Sequence, residues 1–415
     1  MKRYETYKDS GIQWWEEIPT HWDLKKAKHI FSLVTENVSD SSLPKIALEN
    51  IESWTGKYIE TDSDFMGEGV EFKKDDILFG KLRPYLAKVY KAEFAGQAVG
   101  DIYVFRGNEE QNPEYLKYLL LSYPFISVVD GSTYGAKMPR ANWDFISHLV
   151  LPCPPKTEQV TIAAYLDHKV SQIDATIAEK EQMLKDLKNY RSAIISEAVT
   201  KGLDKNVEMK DSGIEWCGYI PIHWQVLKIG YIFQNLDYLR QPISSENRER
   251  NNPQYEYYGA SGVIDKIDSY NVNDKVLLIG EDGANLVSRT LPLIYKAEGK
   301  FWVNNHAHIL KPISSDYDYM AFLLETADYT NYITGSAQPK LSQEKLSSVK
   351  LPVPPIEEQK QIAKKLICIV PLIDRSLIEI EKIIKDLKSY KSALITEAVT
   401  GKIDLREWKS KEENV

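Results

Sequence analysis

The chain has 415 residues, 43% of them apolar and 27% charged, with a formal net charge of -8 and three cysteines. That length allows two or three domains with full cores, and the composition is that of an ordinary globular protein. A chain that binds nucleic acid by bulk charge alone is basic, so any DNA contact must come from local basic clusters or be shared with a more basic partner. No apolar run approaches the roughly 18 residues a membrane span needs. The opening MKRYETYKDSG has no apolar stretch of the signal-peptide kind. Cys153, Cys217 and Cys368 are too scattered for a disulfide framework, so a cytoplasmic protein without membrane contact is expected.

The first element is a box, YKDSGIQWWEEIPTHW, at 7–22. Ile77-Leu78-Phe79 follows as a short buried strand ending at Gly80, and Asp101-Ile102-Tyr103-Val104-Phe105 as another. Between them lies a first basic and aromatic cluster of Lys81, Arg83, Tyr85 and Lys88. A helix is expected over 113–120, then a second cluster of Tyr134, Lys137 and Arg140. The run Leu151-Pro152-Cys153-Pro154-Pro155 announces a long helix, because proline suits a first helical turn. Glu158 stands near its start, where the dipole favours an acid.

The helix carries a heptad seam: Leu166, Val170, Ile173, Ile177, Lys180, Leu184, Leu187, Arg191, Ile194 and Ala198. At 1.5 Å per residue this run spans about 50 Å. It stops near Gly202.

The pattern then repeats at an offset of about 200 residues, too long for a solenoid. MKDSGIEWCGYIPIHW occupies 209–224. Val276-Leu277-Leu278-Ile279 ends at Gly280, His306 to Leu310 reads as a strand, and 317–324 as a helix. Gly131-Ser132 and Gly335-Ser336 match at a shifted offset. The polar cluster here is more diffuse, with Tyr258, Ser261, Asn285, Arg289, His306, Gln338 and Lys340. Arg and Lys suit guanine edges and phosphates, whereas Asn and Gln suit adenine. Leu351-Pro352-Val353-Pro354-Pro355 opens a second helix with the same seam: Leu366, Val370, Ile373, Leu377, Ile380, Ile384, Leu387, Lys391, Leu394 and Ala398. Arg191 and Lys391 are the matching basic residues, and polar seam positions set register and partner. Pro371, which replaces Ser171, predicts a kink or break.

The expected architecture is therefore mixed α/β. Two α/β domains (1–150 and 205–350) are joined by two long antiparallel coiled-coil helices (151–204 and 351–415) in a pseudo-two-fold repeat. Enzyme motifs are missing. Gly80-Lys81, Gly299-Lys300 and Gly401-Lys402 lack the Ser or Thr of a phosphate-binding loop. Asn252-Pro253-Gln254-Tyr255 misses the second proline of an amino-methyltransferase motif. Asp64 with Glu71-Phe72-Lys73 is a faint nuclease-like set of common residues. His306 and His308 would share a strand face but lack a third ligand for a metal.

The paired KDSGI-x-W and IP-x-HW boxes, the LP-x-PP-x-x-EQ junctions and the seams ending EAVT resemble the DNA-specificity subunit of type I restriction-modification systems. The likeness extends to 76–86, similar to one target-recognition domain, and to 258–262 and 279–285, similar to another subtype. It implies a non-catalytic subunit whose two domains each read half of a split, asymmetric target on double-stranded DNA. The helices would serve as ruler and as dock for two methyltransferase and two restriction subunits, on which S-adenosylmethionine, ATP and magnesium are expected. A duplicated nuclease or methyltransferase and a protein-binding coiled-coil adaptor remain as rival readings of the residues.

Overall fold

The computed structural model describes residues 2–38, 42–61, 65, 67–133, 137–248, 253–335 and 338–409. It divides into two compact units, Met1–Glu181 with Glu381–Val415, and Gln182–Ile380. Each unit holds one α/β domain together with half of each long helix.

In the first unit the central strand Ile102–Gly107 lies between Phe31–Val34 and Ile77–Gly80, with Val89–Lys91 outside, all antiparallel. Ile77–Gly80 is buried along its whole length, as a continuous apolar run requires. Leu78 and Val104 face a core shared with Ile46, Phe72 and Tyr90. Phe79 meets Phe105 and Phe125 instead. The helix Pro113–Leu121 is capped by the Asn112 side chain, which accepts from the Tyr115 N–H.

The second unit repeats the three central strands as Phe233–Asn235, Ala307–Pro312 and Val272–Gly280. Ala307 opposes Gly280 as Ile102 opposes Gly80. Here the sheet grows to six strands, with Ile294–Val303, Tyr255–Gly259 and Gly262–Ile267 beyond. The strand begins at Ala307, so His306 lies in the preceding turn and is exposed, while His308 is fully buried. The two histidines do not share a face.

The repeated motifs form the same frame in each unit. Asp9 and Asp211 accept from the N–H of Gly11 and Gly213, and Ser10 and Ser212 from Ile12 and Ile214, which shapes the turn. Lys8 and Lys210 donate to the Trp22 and Trp224 carbonyls at 2.6 Å. Those tryptophans are fully buried, and their indole N–H groups reach Glu158 and Glu358 at 3.0 and 3.1 Å. His21 and His223 hold the same carboxylates. Gln159 and Gln359 accept from the N–H of Asn112 and Asp316, the capping residues of the domain helices. The long helices are thus bolted to their domains by side chains from three motifs.

The helix halves pair antiparallel within each unit. In the first, Asp174 meets Lys391 at 2.8 Å and Glu181 meets Lys388 at 3.0 Å. In the second, Arg191 grips Asp374 through two nitrogens, while Ala198 and Lys201 border Leu366 and Lys365. Leu166, Ile173, Leu366, Ile373 and Ile384 are buried, and Leu184, Leu187 and Leu387 half-buried. The helix Ile356–Val399 continues through Pro371 without a break. Pro371 is exposed, so water can take the place of its missing donor, and Val370 and Ile373, both buried, hold the turn on either side.

Each helix ends at a glycine with positive φ, Gly202 at +75° and Gly401 at +73°. A Cβ on Gly401 would lie 2.4 Å from Pro19 and 3.1 Å from Trp22. Gly401→Ala should therefore lose about 2–4 kcal/mol, from left-handed strain plus overpacking. Gly213→Ala, at +66° but with open space around it, should lose only about 1–2 kcal/mol. Urea denaturation of both variants checks this; equal losses would remove the packing argument.

Candidate nucleic-acid interface

After Gly80 the first domain builds a small ladder. Lys81 N–H donates to the Asp101 carbonyl, Ala141 N–H to Lys81, and Arg83 N–H to Pro139, at 2.8–2.9 Å. Leu82 and Arg140 form the bridge between these bonds. The two basic clusters, distant in sequence, become one surface. Arg83 sits in the left-handed region (φ 51°) and is exposed, and its guanidinium has no partner among the described residues. Such backbone strain clusters at functional sites. Tyr85 and Lys137 are exposed beside it. Lys81 lies 3.7 Å from Asp101, and Arg140 grips the same carboxylate at 3.0 and 3.1 Å. Tyr134 lies outside the described residues, as do Asp64, Asn252 and Ser336.

Lys88 departs from expectation. Its ammonium donates to the Leu48 and Ile51 carbonyls at 2.7 Å, inside the domain. Burial pushes its pKa down. Trp54 was not singled out from sequence, yet its N–H and indole N–H bind the Ala87 and Tyr85 carbonyls. It ties the loop to a hairpin whose Lys57 reaches Asp174 at 2.7 Å. A tryptophan in a Ser- and Gly-bounded loop was the available sequence signal; its φ of +63° appears only in the structure.

The second domain makes the same ladder, shifted by 200 in number except that His306 takes the place of Asp101, a shift of 205. Glu281 N–H donates to His306, Leu341 to Glu281 and Gly283 to Pro339, with Asp282 bridged to Lys340. Gly283 stands where Arg83 does, also at positive φ. Beneath the ladder, the His308 ring lies between Asp237 (2.6 Å) and the Leu341 carbonyl (2.7 Å). Burial raises the Asp237 pKa, but the His308 hydrogen bond and charge and the Ile309 N–H outweigh it, so it is held low. Glu281 is likewise depressed, the hydrogen bonds of Arg240 and Lys340 outweighing burial. Above, Ser261, Asn305, His306, Gln338 and Lys340 are exposed, as is Tyr238, which sequence reading missed. The Ala260 carbonyl comes within 2.7 Å of where a Gly280 Cβ would be, which sets the Ser261 turn beside the ladder.

Three other predicted residues have their side chains engaged within the domain. Tyr258 is buried against Phe301, its hydroxyl bonded to Glu256. A bulge between Tyr257 and Tyr258 breaks the alternation that would have exposed one of them. Asn285 uses its amide on Leu291 and Pro292 of its own loop. Arg289 caps the helix Tyr317–Thr326 through the Glu325 and Ala327 carbonyls. Among the described residues no cluster of three His, Cys, Asp or Glu side chains is placed to hold a metal, and no helix is long and apolar enough to cross a membrane.

A family profile described as type I restriction modification DNA specificity domain matches residues 29–188 and again 221–386. The chain belongs to that family. This specificity-family chain is 24% identical to a Methanocaldococcus jannaschii chain assigned as the type I restriction enzyme MjaX specificity subunit, over 96% of this chain and 98% of that one. The MjaVIII specificity subunit of the same organism is 23% identical, over 80% and 77%. The fold is shared with a chain from a structural study of complex assembly and conformational transition of a type I R-M system: TM-score 0.72, 15% identity, 93% and 99% covered. The HsdS subunit of Thermoanaerobacter tengcongensis gives TM-score 0.52 at 17% identity, with 93% and 98% covered.

Proposed function

We propose that this chain is the non-catalytic DNA-reading subunit of a type I restriction-modification complex. It reads a bipartite, asymmetric target and acts in the cytoplasm as scaffold for two methyltransferase and two restriction subunits. S-adenosylmethionine, ATP and magnesium belong to those partners. The observation that carries this is the ladder: one backbone arrangement, built twice, presents different side chains, Arg83 and Arg140 in one domain and Gly283 and Lys340 in the other. A common mount with different readers suits a target of two unlike halves.

Methylation mapping in the host tests the reading. Two unlike half-sites separated by unread base pairs are expected; one continuous palindrome would end it. A heptad inserted after Lys180 and Ile380 falls within one residue of the boundary between the two units and keeps the Asp174–Lys391 and Arg191–Asp374 pairs, at the expense of the exposed Glu181–Lys388 pair. Seven residues add about 10 Å, so the spacer should grow by roughly three base pairs at about 3.4 Å each. A spacer indifferent to the insertion would exclude the ruler role.

A further inference from the structure

The cations of the two ladders are not free. In the first domain Lys81 and Arg140 converge on Asp101, and in the second Arg240 and Lys340 converge on Glu281. Arg140 and Lys340 occupy the same ladder position. In both pairs the cation is the exposed member: 51% against 23% for Arg140 and Asp101, and 55% against 11% for Lys340 and Glu281. The His306 ring is likewise the exposed member of its contact with Asp282, 47% against 18%. Carboxylates therefore sit behind the cations, on the protein side.

We propose that Asp101 and Glu281 are internal stand-ins for DNA phosphate, masking the reading-loop cations until a cognate half-site is engaged. This rests on the DNA-reading function proposed above. Exposed ion pairs are weak, about 0–1 kcal/mol, so a well-docked duplex can open them. Non-specific association has no base contacts to compensate the opening and gains only from counterion release, about one unit of salt slope per freed cation. A masked cation contributes to the specific complex and little to the non-specific one. Specificity is then raised by weakening the competitor, which fits an acidic chain that must bind DNA.

Asp101→Asn separates this from simple bracing. The carboxamide keeps the shape, and the Asp101 carbonyl still holds Lys81 N–H. With the full chain assembled with its methyltransferase subunits, binding to a site-free duplex should tighten about three- to tenfold at low salt. The slope of log K against log salt should steepen by about 1–2. Adding Arg140→Gln and Lys81→Gln should reverse the gain. Glu93→Gln, which removes an exposed carboxylate of the same domain that pairs with no cation among the described residues, controls for charge alone. Bracing predicts the opposite sign: weaker cognate binding and site-free binding unchanged or reduced. That result, or a gain no larger than that of Glu93→Gln, overturns the proposal while cognate discrimination by the wild type leaves the reading function standing. A wild type that does not discriminate overturns both. A thermal melt of Asp101→Asn coincident with wild type confirms that the fold is unchanged; should it melt early, Lys340→Gln carries the test: its salt slope should fall by about 1 on the cognate duplex and stay unchanged on the site-free duplex, and an equal fall on both, or none on the cognate duplex, counts against masking.

Discussion

Asp174→Ala should destabilise the protein by about 3 kcal/mol, while Asp374→Ala, at the matching place in the repeat, should lose at most about 1 kcal/mol. The difference is burial. Lys391 is 8% exposed and has Asp174 at 2.8 Å, so the truncation strands a buried ammonium. Lys57 loses the same partner. Arg191 and Asp374 keep 36% and 43% of their side chains in water and can be resolvated. Urea denaturation of both variants measures the gap, and equal losses would contradict the argument. Acid provides a second check. Burial raises the Asp174 pKa, but the hydrogen bonds and charges of Lys391 and Lys57 prevail and hold it below its ordinary 3.8. A depressed carboxylate stabilises fully above its unfolded value and loses that contribution as the pH falls through the folded one. The wild type should therefore approach Asp174→Ala in stability below about pH 4, with the gap constant from pH 5 to 8.

Arg83→Ala should lower discrimination at one half-site by about 1–3 kcal/mol, roughly five- to 150-fold, if the guanidinium grips a base edge. The other half-site should be read as before. Single-base substitutions across both halves, titrated against wild type and variant, decide the matter. A loss uniform over all sequences would make Arg83 a phosphate contact instead. Arg83→Gly, which copies Gly283, should show the same loss of reading. It should also be more stable by about 1 kcal/mol, since glycine relieves the left-handed strain.

The duplication, the heptad seams and the proline-started helices were legible because each is written in local periodicity or in residues with one backbone use. The frame contacts of Trp22 with Glu158 and Trp224 with Glu358 were half legible: the motifs were visible, their mutual bonds were not. Arg191 and Lys391 stood out as polar seam residues, but Asp374 and Asp174 were identified as their partners only by the antiparallel packing. Pro371 predicts a kink or break because propensity is local, but the helix does not break there, since the packed seam overrides it. The reading surfaces were least legible. Lys88, Asn285 and Arg289 carry the same chemistry as Arg83, Gln338 and Lys340, and no pattern in the chain separates them. What separates them is whether backbone carbonyls take up the side chain, as Leu48 and Ile51 do for Lys88, Ala327 for Arg289 and the nearby Leu291 and Pro292 for Asn285. Sequence alone determines which groups can bind DNA; a buried donor must be satisfied within the fold, so only tertiary structure decides which of them stay at the surface, among the described residues unpartnered as Arg83 is or held by a carboxylate alone as Lys340 is.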